Sequence, residues 1–118
     1  MGEGPVVARC HCGQATITLP RKPDLVLECN CSLCAVTGWR GVYCRPDEAV
    51  IAGEFDSYVR SDLDQAMITL WRCKICGSQT HWTPLAAAPA DRMGVNARLL
   101  DPKVLDGVPV ERADGRSR

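Results

Sequence analysis

Apolar and polar residues alternate with a period of two along much of this chain, and apolar residues at helical spacing are hard to find. In "QATITLP", Ala15, Ile17 and Leu19 fall on one face and Thr16 and Thr18 on the other, which predicts a strand with one side buried. In "DLVLECNC", Leu25, Leu27, Cys29 and Cys31 alternate with Val26, Glu28 and Asn30 in the same way. The stretches "GWRGVYC", "AVIAG", "AMITLWRC" and "MGVNARLL" predict further short strands, with Gly, Pro and Asp residues punctuating the gaps. "PLAAAPADR", residues 84–92, is predicted as a loop leading to the last strand, because its two prolines disfavour a helix. The polar end "ERADGRSR" is expected to fray. The expected fold is therefore mainly β, with a single domain over residues 1–112 and a flexible tail over 113–118.

Length and composition narrow the picture. A chain of 118 residues is one domain's worth, and such a domain buries roughly two-thirds of its unfolded surface. Its six aromatic residues make a core thin in large side chains, which cross-links would help to stabilise. Fourteen basic and fourteen acidic residues cancel, so bulk charge gives no reason to expect nucleic acid or an anionic membrane as partner. The start "MGEGPVVARC" shows no basic segment followed by an apolar one, and no apolar run approaches the ~18 residues of a membrane span. Val6 occupies the position where N-myristoylation prefers Ser or Thr. A cytoplasmic location is expected, where thiols stay reduced and clustered cysteines bind metal more often than they form disulfides.

Candidate chemistry is concentrated in the eight cysteines. They fall as Cys10-x-Cys12, Cys29-x-Cys31-x-x-Cys34, a lone Cys44, and Cys73-x-x-Cys76 followed by Gly77. Residues two apart on a strand share a face, so each Cys-x-Cys is expected to aim two thiolates at one point. The x-x spacing does the same across a tight turn, which Gly77 would close in the left-handed conformation. Structural zinc takes four soft ligands, whereas catalytic zinc keeps an open position. Cys10, Cys12, Cys73 and Cys76 make four, closing a loop around most of the chain, where ligation constrains the unfolded state most. Cys29, Cys31 and Cys34 are left as three thiolates with a vacancy suited to a soft sulfur, and hence to a small thiol substrate. A disulfide framework would strain each Cys-x-Cys, and the spacings do not match ferredoxin clusters. Cys44 is expected as a buried strand cysteine, with completion of a second four-thiolate site as the alternative.

In this order, "RCHCG" at residues 9–13, "CNCSLC" at 29–34 with Gly38 after it, and "CKICGS" at 73–78 resemble the glutathione-dependent formaldehyde-activating enzyme family, which includes centromere protein V. "DRMGVNARLLDP" also resembles the last strand of short bacterial members, so the resemblance covers roughly residues 9–112. It implies a Mss4-like fold of short antiparallel strands with two zinc ions. Cys10, Cys12, Cys73 and Cys76 would hold the structural zinc, and Cys29, Cys31 and Cys34 the catalytic one. The implied activity is that of a carbon–sulfur lyase on S-hydroxymethylglutathione, the adduct of glutathione and formaldehyde.

Other residues add less. Arg40, Arg45 and Arg60 are candidates for holding a substrate carboxylate, against the commoner role of solvated surface. His11 is expected at the surface. His81 could neighbour a metal or carry a proton, as the lesser alternative. Trp71 and Trp82 are expected in the core. Three functions follow: a zinc-dependent lyase acting on a thiol and an aldehyde, a non-catalytic zinc-stabilised binding module, or a thiol redox or metal-buffering protein.

Overall fold

A computed structural model describes residues 4–115. Among them lie ten strands: β1 Val6–Arg9, β2 Thr16–Leu19, β3 Val26–Cys29, β4 Arg40–Cys44, β5 Val50–Ala52, β6 Phe55–Val59, β7 Ile68–Cys73, β8 Gln79–Pro84, β9 Met93–Asn96 and β10 Val110–Ala113. One helix, α1 Ser32–Thr37, follows β3. The fold is mainly β, as the alternation predicts.

A three-stranded antiparallel sheet has the order β1-β2-β5, and a seven-stranded sheet the order β10-β3-β4-β9-β8-β7-β6. All pairings in the larger sheet are antiparallel except β10 with β3. The core lies between the two sheets. Ala8, Ile17 and Leu19 from the smaller meet Val26, Val42, Met93 and Val95 from the larger in one buried cluster. The Thr16/Ile17/Thr18/Leu19 alternation holds as predicted, with Ile17 and Leu19 buried. In β3 the same rule sends Val26 into the core and leaves Leu27 and Cys29 half-buried on the opposite face. That face carries the chemistry.

The structure corrects several expectations. The cysteine pairs do not ride within strands: Cys10 follows β1, Cys12 lies in the next turn, and Cys29 ends β3 while Cys31 caps α1. "MGVNARLL" is extended only to Asn96, whose side chain accepts from the Arg98 amide at 3.1 Å and turns the chain into a 3₁₀ segment, Ala97–Leu99. The last strand among the described residues is β10. Its residues Glu111–Ala113 belong to the run expected to fray, yet they pair in parallel with Leu27–Cys29. Arg116–Arg118, at the end of that run, lie outside the described residues. No helix among the described residues is long and apolar enough to cross a membrane.

Candidate metal centres

The first cluster brings together Cys10, Cys12, Cys73 and Cys76, with all four sulfurs within 4.8 Å of one another. Two tight turns build it. The Gly13 amide donates to the Cys10 carbonyl at 3.1 Å, and the Gly77 amide to the Cys73 carbonyl at 3.0 Å. Gly77 has φ +78°, the left-handed conformation expected from the sequence. Amide donors then converge on the sulfurs. Ala15 N–H reaches Cys10 Sγ at 3.3 Å, while the Ile75 and Cys76 amides each reach Cys73 Sγ at 3.4 Å. Gln14 Nε2 donates to Cys73 Sγ at 3.0 Å. The same side chain is clamped by the Glu54 backbone, donating to its carbonyl at 2.7 Å and accepting from its amide at 2.9 Å. Nothing in the spacing of cysteines points to Gln14.

No disulfide joins any of the eight cysteines, and the crowding shapes their ionisation. Ser78, through its hydroxyl and amide, draws Cys76 down to about 5. The Gln14 backbone N–H pulls Cys12 the same way, but desolvation and the neighbouring thiols outweigh it and raise Cys12 to about 11. Four sulfurs this close ionise together only when a cation offsets their repulsion.

The second cluster is local. Cys29, Cys31 and Cys34 place their sulfurs within 4.8 Å, all half-buried. Cys31 is the N-cap of α1, its sulfur accepting from the Cys34 amide at 3.4 Å, and the Cys31 amide in turn donates to Cys29 Sγ at 3.4 Å. Gly38, at φ +73°, ends the helix and donates to the Cys34 carbonyl at 2.9 Å. Desolvation, then the Cys31 and Cys29 sulfurs, raises the Cys34 thiol. For Cys31, desolvation is outweighed by the Cys34 amide and the neighbouring thiols, so its pKa falls. No fourth His, Cys, Asp or Glu joins this cluster among the described residues.

Cys44 and both histidines stand outside the two clusters. Cys44 ends β4 against the core, where burial and then Glu48 push its thiol up to about 11. His11 is exposed in the turn between Cys10 and Cys12. His81 is 3% exposed, stacked on Trp71 and edge-on to Phe55. Burial pushes it down to about 4, so it is neutral at pH 7. Thr80 Oγ1 donates to the Trp71 carbonyl at 3.2 Å, which leaves it to accept from His81 Nδ1–H at 2.8 Å.

A cavity of about 460 Å³ opens beside the triplet. Leu27, Leu33 and Leu70 wall it, with Trp82, Arg60 and Arg92. Trp82 is thus half-buried at the cavity rather than wholly in the core. Its indole packs against Gly94, where any Cβ would collide with the ring. Of the three arginines singled out from the sequence, only Arg60 borders this space. It donates to Asp62 at 2.6 and 2.9 Å and to Ser32 Oγ, at the start of α1, at 3.1 Å. Arg40 faces Glu28 at 2.8 Å, and Arg45 pairs with exposed Asp47 at 3.2 Å. Beyond β10, Gly115 lies so close to the triplet that an added Cβ would stand 2.7 Å from Cys29 Sγ.

A model of the glutathione-dependent formaldehyde-activating enzyme family matches residues 5–108. The chain belongs to this family. Both clusters lie inside the matched range, and the strands above form the family's Mss4-like fold. The crystal structure of a Rhodobacter sphaeroides protein, 23% identical, shares that fold with a TM-score of 0.63 over 89% of this chain and 99% of the other. No curated protein matches the chain. Strand β10 and Gly115 fall beyond the part that the formaldehyde-activating family describes.

Proposed function

We propose that both clusters hold Zn²⁺, a structural ion at Cys10, Cys12, Cys73 and Cys76 and a catalytic one at Cys29, Cys31 and Cys34. On this reading the protein is a carbon–sulfur lyase acting on a small thiol adduct, such as S-hydroxymethylglutathione formed from glutathione and formaldehyde. The observation that carries the reading is the inequality of the two clusters: the triplet has no fourth donor among the described residues and opens onto a cavity. The donor sets fit zinc, since sulfur ligands served by amide N–H groups are stabilised as thiolates. When bound at three thiolates, zinc supplies a soft position for a substrate sulfur and withdraws charge from it.

The chain's own residues do the rest. The Cys31 and Cys34 amides fix the directions of the Cys29 and Cys31 sulfurs. Arg60, its charge offset by Asp62 and its edge held by Ser32 at the start of α1, forms a fixed wall of the cavity beside the triplet. In cleavage the carbon–sulfur bond breaks with its electron pair going to sulfur. The adduct's hydroxyl loses its proton to solvent as its carbon–oxygen bond becomes the carbonyl of the aldehyde. His81, sequestered in the core, takes no part.

The test is elemental analysis per chain, followed by titration with thiols and by adduct kinetics. Two zinc ions per chain, a thiol-responsive site, and adduct formation above the background rate are expected. Two metals indifferent to thiols, with adduct formation at background, would make the protein a non-catalytic zinc-stabilised module.

A further inference from the structure

Zinc chemistry at the triplet says only that a sulfur binds there, and the cavity says what that sulfur is attached to. Apart from the three cysteines, its walls are mostly side chains of Leu, Ile, Met and Trp, and two of them, Leu63 and Met67, stay 43% and 42% exposed with nothing covering them. No Asp or Glu borders the cavity among the described residues. Of its two arginines, Arg60 is already committed to Asp62 and Ser32. Arg92 has its guanidinium 4.2 Å above the Tyr43 ring and no carboxylate partner among the described residues. A cation held over an aromatic face keeps its N–H edges available to an anion.

Glutathione brings two carboxylates and an ammonium. In this cavity one carboxylate meets Arg92, the other has no free cation, and the ammonium has no acid; each such group costs desolvation without a return. An apolar body, by contrast, covers Leu63 and Met67 and gains their burial. Resting on the reading of the triplet as an open thiol site, we infer that the site favours, over glutathione, a thiol with an apolar body and a single anionic group, selected by Arg92. Arg92 is then a specificity-determining residue for the same reaction.

Cobalt in place of zinc gives a sulfur-to-metal absorption band that reports thiol binding without turnover. The probes are 6-mercaptohexanoate, 1-butanethiol and glutathione, titrated against the cobalt-loaded protein. Mercaptohexanoate is expected to half-saturate the band at a concentration at least about tenfold below glutathione. Arg92→Gln should weaken mercaptohexanoate by about tenfold, the worth of one charge-assisted contact, while leaving butanethiol unchanged, and Arg92→Lys should recover part of the loss. Arg92 is exposed, so both variants are expected to keep the wild-type circular dichroism. Glutathione binding as tightly as mercaptohexanoate, or Arg92→Gln weakening butanethiol equally, overturns the inference. A cobalt band that no thiol perturbs removes the open site itself, and the substrate assignment with it.

Discussion

The two sulfur clusters use the same ligand in opposite ways. The four-sulfur cluster draws on two turns 61 residues apart in sequence, Cys12 and Cys73 being 3.6 Å from each other, and it sits on a small core of its own made by Cys10, Ala15, Cys73 and Phe55. The triplet comes from one strand end and the cap of one short helix, and helix α1 buries none of its residues. Distance along the chain makes the first a staple. Ligating it removes a large share of the unfolded chain's freedom, whereas ligating the triplet fixes a segment of six residues, 29–34. A site that contributes little to global stability is free to leave a position open for chemistry.

Breaking each cluster in turn gives the largest effect. On the two-zinc reading, Cys73→Ala removes a buried ligand, and a structural zinc contributes about 10–16 kcal/mol, comparable to or above the whole stability of a domain. This variant is expected to lose its β circular dichroism and its structural zinc. Cys34→Ala should lose one metal ion and keep most of the β signal; two variants behaving alike would erase the distinction. A smaller effect tests the surroundings of the staple. His81, packed on Phe55, is held neutral with a pKa near 4, whereas an unfolded chain takes up that proton near 6.5. The unfolded state therefore binds more protons between those values, and stability falls as pH drops from about 6.5 to about 4, by about 3 kcal/mol. Urea unfolding at both ends of this window should show the loss in the parent chain and a shallower slope in His81→Asn, with acid effects on the cysteines common to both. The mildest prediction concerns the triplet's cavity. Gly94→Ala forces the Trp82 indole aside and should cost about 1–3 kcal/mol by overpacking, with weaker thiol binding and unchanged metal content.

The cysteine pairs that converge were legible in the sequence because the spacing within each is short-range, and a turn of two or three residues brings such sulfurs together; that the first and last pairs meet across 61 residues is the work of the fold. Their exact carriers were not, since a turn with Gly13 at φ +86° and a strand serve the same convergence. Most of the strands foreseen have a buried face, such as β2, although β5, foreseen from "AVIAG", is exposed throughout. Those not foreseen have other reasons to be extended. β6 is an edge strand whose residues beyond Phe55 are exposed, and β10 is a polar edge, "VERA", held by backbone pairing. β8, "QTHWTP", hides polar Thr80 and His81 inside the sheet by bonding them to each other and to the Trp71 carbonyl. Helix α1 is six residues long and buries none, so it leaves no periodic trace. The cavity was illegible because its walls come from separate segments of the chain, and Arg92 and Trp82 acquire their roles only through neighbours such as Tyr43 and Gly94.

The parallel partnership of β10 with β3 also sets a schedule. Glu28 and Arg112, paired across it, are 84 residues apart. At about 5–20 residues per second, a ribosome delivers the second strand on the order of ten seconds after the first. Throughout that interval the strand ending in Cys29 has a bare outer edge. On the two-zinc reading, an ion captured there by the nascent chain is held on an unpaired strand end until β10 arrives.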